Sequence, residues 1–166
     1  SMALVVQKFG GSSVANVERL RNVAKRVGQT ASAGNQVVVV VSAMGDTTDD
    51  LIALAGEITK NSYRREMDML MATGEPQSSA LLAITLLNMG HAALSLTGEM
   101  AGFRTDGAYG NGRILRMCCD RVQQELKNGN IVVVAGFQGI DDCGNIITLG
   151  RGGSDTSAVA LAVALE

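Results

Sequence analysis

Two glycine-rich strings hold the residues best suited to chemistry, Lys8-Phe9-Gly10-Gly11-Ser12-Ser13 and Gly150-Arg151-Gly152-Gly153-Ser154-Asp155-Thr156. Adjacent glycines let successive backbone N–H groups turn toward one anion, and serine hydroxyls add donors beside them. Lys8 puts a full positive charge at the first string. Arg151 brings to the second a planar fork that suits a carboxylate or a phosphate. A helix starting just after either string would add the positive potential of its N-terminus. Asp155 would repel an anion unless it engages a lysine or a metal, which gives it an organising role; the plain alternative is that Ser154 or Asp155 caps a helix. For Lys8 the plain alternative is a tight turn with a solvated lysine. Two such strings in one short chain favour the phosphate reading.

Further polar candidates are Ser42, with Asp46, Thr47 and Thr48 beyond it, and Thr73-Gly74-Glu75. Glu75 immediately precedes Pro76 at the mouth of a predicted helix. A capping carboxylate and a receptor for a ligand's ammonium group both fit that position. The familiar nucleotide loops do not fit. A P-loop needs Lys-Ser/Thr after its last glycine, whereas Lys8 comes before the glycines. The dinucleotide fingerprint fails because Asp155 stands where a third glycine would be.

These strings sit where alternating strands and helices would put them. Ala3–Gln7 reads as a buried strand, and the apolar spacing of Val17, Leu20, Val23, Ala24 and Val27 predicts a helix from Val14 toward Ala33. Val37–Val41 lies in a β-branched run, Gln36–Ser42, that reads as a strand covered on both faces. Helices are predicted over Leu51–Lys60, Tyr63–Ala72 and from Pro76 to Gly90, then a strand over Ala92–Thr97. Gly98–Arg113 shows little periodicity and reads as a long glycine-bearing loop. A helix capped by Asp120 runs to Lys127, Ile131–Ala135 repeats the buried strand, and Asp141–Asn145 turns a hairpin into Ile146–Leu149. A last apolar helix reaches Glu166. The order predicts α/β architecture with a mostly parallel central sheet sandwiched by helices, the glycine strings lying at the carboxyl ends of strands. No closing strand follows the last helix, so a truncated domain is expected. Ser1 before Met2 reads as a cloning remnant.

Composition narrows the class. The chain has 166 residues, 46% of them hydrophobic and 18% charged, with a net charge of −2, so a packed core is expected and disorder is excluded. No basic excess exists for nucleic acid, and no apolar run approaches the roughly 20 residues of a bilayer span. No secretion signal is visible, so a cytoplasmic location is expected. Three cysteines, Cys118, Cys119 and Cys143, make an odd count without metal spacing and read as free thiols. His91, the single histidine, removes most His-based metal sites and a Ser-His-Asp triad. No protein-held metal is expected. Twenty glycines against one proline, clustered rather than scattered, point to backbone brought close to a ligand.

Several strings, in order from one end of the chain to the other, resemble the bacterial aspartate kinases of the amino acid kinase family. They are K-F-G-G-S-S-V at Lys8–Val14, V-V-S-A-M-G-D-T-T at Val40–Thr48, R-E-M-D-M-L-M-A-T-G-E at Arg65–Glu75, S-L-T-G at Ser95–Gly98, V-A-G-F-Q-G at Val134–Gly139 and T-L-G-R-G-G-S-D-T-S-A-V-A-L-A at Thr148–Ala162. The resemblance implies the amino acid kinase fold over residues 2–166, as the N-terminal part of a catalytic domain that lacks its nucleotide-binding C-terminal half and regulatory domains. It implies transfer of the ATP γ-phosphoryl group to L-aspartate, with Mg²⁺ at the phosphate end, as the first step toward lysine, threonine and methionine. Lys8 and Asp155 would be catalytic, Asp155 orienting lysine. Lys8, Gly10, Gly11, Ser12, Gly152 and Gly153 would hold ATP phosphates. Ser42, Thr48, Glu75, Arg151 and Ser154 would bind aspartate, Glu75 taking its α-ammonium group. The remainder of the kinase polypeptide is an expected partner. A homo-oligomer is a further expectation, because truncation would bare apolar surface near Ala158–Leu165. A non-catalytic binding or assembly module of the same fold, or another amino acid kinase, is the competing expectation.

Overall fold

A computed structural model describes residues 2–166. Ser1, read above as a cloning remnant, lies outside the described residues. The chain runs β1 (Leu4–Phe9), a single 3₁₀ turn (Gly11–Val14), α1 (Val17–Ser32), β2 (Gln36–Val41), α2 (Thr47–Ile58), α3 (Arg64–Met71), α4 (Gly74–Asn88) and β3 (Ala93–Leu96). It continues through α5 (Gly98–Ala101), β4 (Phe103–Thr105), β5 (Ile114–Met117), α6 (Asp120–Lys127), β6 (Ile131–Ala135), β7 (Gln138–Ile140), β8 (Ile146–Thr148) and α7 (Gly153–Ala164).

The expected central sheet is present, four strands in the order β1-β2-β6-β3, every neighbouring pair parallel. The valine run explains its burial. Val37, Val39 and Val41 point into a cluster with Leu20, Val23 and Val27 of α1 and Leu82 and Leu86 of α4. Val38 and Val40 point the other way, toward Leu96, Phe103, Val122, Leu126 and Leu161. Period-two alternation therefore feeds two cores, and helices cover both faces as a parallel sheet requires. Because all strands run the same way, β1, β2, β3 and β6 release their loops at one edge.

The expected hairpin is β7–β8, but its extension by β4 and β5 into a second sheet, in the order β5-β4-β7-β8, was not expected from the sequence. β4 pairs antiparallel with β5 and parallel with β7, and β7 pairs antiparallel with β8. The predicted loop Gly98–Arg113 is thus corrected: it holds α5 and β4 before a true loop. Phe-Arg-Thr and Ile-Leu-Arg-Met are too short to show periodicity, and their pairing depends on neighbours distant in sequence. The predicted turn at Asp141–Asn145 is observed, with Asp141 N–H and C=O bonded to Asn145 and Gly144.

Helix starts differ from prediction in several places, among them α1, predicted from Val14 and observed from Val17 behind an Asn16 cap. α2 begins at Thr47, so Thr48 lies in a helical first turn. α4 begins at Gly74 and places Pro76 at its third residue. Gly152, at φ 75°, takes the cap position of α7, so neither Ser154 nor Asp155 caps it; both sit in the first turn. Likewise Cys119, not Asp120, occupies the cap position of α6. Val159 and Val163 on α7 are each 63% exposed. No helix among the described residues is long and apolar enough to cross a membrane.

Candidate active site

The loops leaving the common edge of the main sheet meet the end of β8 around one cavity of about 690 Å³. Lys8, Gly11, Ser42, Thr48, Glu75 and the whole run Gly150–Asp155 line it. Gly10 and Ser12 flank the cavity without lining it.

Lys8 ends β1, and its Nζ lies 3.1 Å from Asp155 Oδ1 on α7. The Asp155 side chain is largely exposed, so this ion pair adds little stability. Its effect is positional, tying the two glycine strings together. At the first string, Gly45 N–H donates to Gly11 O at 2.9 Å. A Cβ on Gly11 would stand 2.9 Å from the carbonyl oxygen of Ala43, so only glycine lets the backbones of the two loops approach so closely.

Ser42, at the end of β2, donates from Oγ to Ser154 Oγ at 3.0 Å. Its carbonyl accepts from Ser78 Oγ of α4 at 2.6 Å. β2, α4 and α7 thereby converge on one residue. Phe137, which also lines the cavity, is the only non-glycine residue at positive φ among those described, at 72°. Its N–H donates to Ser157 Oγ at 3.0 Å, and its carbonyl accepts from Leu149 N at 2.8 Å. Those bonds offset a backbone conformation that costs an ordinary side chain roughly 1–2 kcal/mol, and they fix the chain on both sides of Gly150–Gly152.

Glu75 differs from the other polar groups. It lies in the first turn of α4 and is 2% exposed. Burial drives its carboxyl up from 4.5 to about 7, against the opposing pull of bonds from backbone N–H groups and from the Gln138 side chain. A helix N-terminus favours the anion, yet desolvation wins. No ionised partner compensates it.

Two site-supporting residues were not singled out by sequence reasoning, although both lie in strings that carried the resemblance. Asp68 of α3, 1% exposed, accepts from Thr148 N at 2.8 Å, Thr148 Oγ1 at 3.0 Å and Gly110 N at 3.0 Å. One buried carboxylate thus joins α3, β8 and the loop before β5. Gln138 of β7 bridges Ala72 O, Glu75 and Gly98 N. The signal available for Asp68 was a lone acid on the apolar side of a short helix, between Met67 and Met71.

The arrangement sets two cations and a row of loop amides against one buried carboxylate. It is suited to a ligand carrying anionic groups at one end and an ammonium group at the other. Among the described residues no cluster of three His, Cys, Asp or Glu side chains could hold a metal ion.

Comparison with known proteins gives the same direction. The family model described as "Amino acid kinase family" matches residues 3–166. An aspartokinase of Bacillus sp. (strain MGA3) is 57% identical over 165 residues, covering 99% of this chain and 40% of the relative. The crystal structure of aspartate kinase from Synechocystis superposes with a TM-score of 0.82 at 52% identity, over 96% of this chain and 26% of that one. E. coli aspartokinase III in complex with lysine and aspartate gives a TM-score of 0.85 at 25% identity, over 98% and 47%. The chain therefore spans about 40% of the length of the curated relative it matches. With the match running through both glycine strings and every strand of the main sheet, this chain belongs to the amino acid kinase family.

Proposed function

We propose that this chain is the aspartate- and phosphate-binding part of an aspartate kinase. The full polypeptide transfers the γ-phosphoryl group of ATP to the side-chain carboxylate of L-aspartate, in the cytoplasm, as the first step toward lysine, threonine and methionine. The observation that supports this most directly is the meeting of Lys8, Arg151 and both glycine strings with the buried Glu75 around one cavity.

In this reading Glu75 takes the α-ammonium group of aspartate, and Thr48, Ser42, Ser154 and Arg151 hold its carboxylates. Lys8, with Gly10, Gly11, Ser12, Gly152 and Gly153, faces the ATP phosphates. The close approach at Gly11 and the positive φ of Gly152 fit a backbone cradle for an anion. ATP with Mg²⁺ supplies the transferable phosphoryl group, the cation riding on the phosphates as is usual where few carboxylates converge. Asp155 holds Lys8 on station through their ion pair. Two anionic reactants must be brought together, so the cations offset their repulsion, and positioning is most of what phosphoryl transfer asks of a protein. No general base is needed, since the accepting carboxylate is already ionised at neutral pH.

The remainder of the polypeptide supplies the adenine site, so the 166-residue chain alone falls far short of full activity. A hydroxylamine trap for acyl phosphate, run with ATP, Mg²⁺ and aspartate, tests this. Hydroxamate from the full-length polypeptide, and little from this chain, is the expected result. A full-length protein that phosphorylates glutamate or acetylglutamate in preference to aspartate would be a different amino acid kinase.

A further inference from the structure

We propose that Gln138 is a positioning residue for substrate: its side-chain amide holds the Glu75 carboxylate oriented for an incoming ammonium group. The proposal rests on the aspartate reading of the cavity given above.

The geometry is specific. Gln138 is 5% exposed and opens β7. Its Nε2 donates to Ala72 O at 2.8 Å and to Glu75 Oε1 at 3.3 Å. Its Oε1 accepts from Gly98 N at 3.3 Å. Both amide hydrogens and the amide oxygen are therefore used, which fixes the amide orientation, since a flipped group would set its oxygen against Ala72 O and Glu75. A Cβ on Gly98 would fall 2.8 Å from Gln138 Cγ, so the glycine of the S-L-T-G string is what lets the side chain stand there. The amide has no second place to go.

Among the described residues Gln138 is the one side chain that donates to Glu75. The other donors are backbone N–H groups, including that of Ala43. A carboxylate offers about four acceptor positions, so capacity remains for a ligand. Charged groups lining the cavity beside Glu75 are Lys8 on β1, Asp49 on α2, Arg151 just before α7 and Asp155 in its first turn; Asp68 on α3 and Glu99 on α5 belong to the elements whose ends Gln138 bridges. None of them contributes to the displacement of Glu75, whose causes are burial and hydrogen bonding alone. Removing the Gln138 donor therefore leaves only backbone groups to oppose desolvation.

The test is Gln138→Met, close in length and unable to donate, in the full-length enzyme, with Gln138→Glu as a second variant that keeps the shape and adds a competing acid. Two readouts are needed. The first is the Glu75 side-chain carboxyl titration, followed by carbon-detected NMR without ligands. The second is the KM and kcat for aspartate between pH 6 and 9. In Gln138→Met the Glu75 midpoint rises by about one pH unit, KM for aspartate at pH 7 rises about fivefold and recovers toward pH 9, and kcat changes less than about twofold. Gln138→Glu raises the midpoint further, because two buried acids then compete for one proton. A merely structural glutamine would instead lower kcat and thermal stability and raise KM equally at every pH. An unmoved Glu75 midpoint in both variants overturns the proposal, and so does a moved midpoint with unchanged aspartate KM. Failure of the wild-type enzyme to phosphorylate aspartate overturns the reading of the cavity instead, and the NMR titration separates that outcome from the others.

Discussion

Glu75 offers a prediction in which stability and function oppose each other. Its carboxyl stands at about 7 in the folded chain against an ordinary value of 4.5. The folded state thus binds more protons than the unfolded state between those limits, so stability falls as pH rises from about 4.5 through about 7 and then levels off. At about 1.4 kcal/mol per pH unit, the ionised carboxylate costs the folded chain about 3 kcal/mol above pH 7. Glu75→Gln removes that cost and keeps the shape. If its amide nitrogen meets one of the backbone donors, about 1 kcal/mol is lost again. The variant is then more stable than the parent by about 2 kcal/mol at pH 8 and less stable by about 1 kcal/mol near pH 4. Urea unfolding by far-UV circular dichroism measures this directly, fluorescence being a poor probe in a chain with no tryptophan. With a slope of about 2 kcal/mol/M the midpoint gap is about 1 M in the variant's favour at pH 8 and reverses to about 0.5 M in the parent's favour near pH 4. A variant less stable than the parent at pH 8, or a gap independent of pH, would refute the reasoning. The same variant should lose aspartate binding, since a neutral amide cannot answer an ammonium charge.

Three other outcomes are expected. Lys8→Ala in the full-length enzyme lowers kcat by about 10²–10³-fold in the hydroxylamine assay with little change in unfolding midpoint, the usual consequence of removing one transition-state donor; an unchanged kcat would make Lys8 a solvated surface lysine. Asp68→Ala leaves the N–H groups of Thr148 and Gly110 and the Thr148 hydroxyl without their acceptor, so stability drops by about 3 kcal/mol in urea, and a loss below about 0.5 kcal/mol would show that the clamp is idle. Gly11→Ala must displace the Ala43 carbonyl, 2.9 Å from the new methyl group, at about 1–3 kcal/mol. It also raises KM for ATP in the full-length enzyme, whereas unchanged KM would free that turn from any phosphate role.

What could be read from the residues was what local chemistry determines. Val37–Val41 declared a doubly covered strand because β-branched side chains on both sides fit nothing else, and Ile131–Ala135 did so again. Either glycine string alone could have been an ordinary tight turn, but two in one short chain pointed to a shared site, and the structure brings Lys8, Gly11, Ser42, Thr48, Glu75 and Gly150–Asp155 to one cavity. β4 and β5 were illegible because strands so short carry no period and exist only by pairing with each other and with β7. Gln138 was passed over for a related reason. Nothing local distinguishes a glutamine after Phe137 from a surface one; its role appears only once α3, α4 and α5 surround it. The start of α7 was misplaced because Ser154 and Asp155 are good caps by type, but Gly152 could adopt the left-handed turn and their side chains had partners at Ser42 and Lys8.

The bond between Ser42 and Ser154 closes a span of 112 residues, and Asp68 reaches Thr148 across 80. Contacts of that reach are late events in folding, because the entropy of closing so long a loop is lost before any of them is rewarded. During synthesis the hydrophobic halves around the valine strands can begin to collapse early, but the cavity cannot close until its last turn has left the ribosome. A nascent chain stalled before Ser154 would be compact yet without a finished cavity.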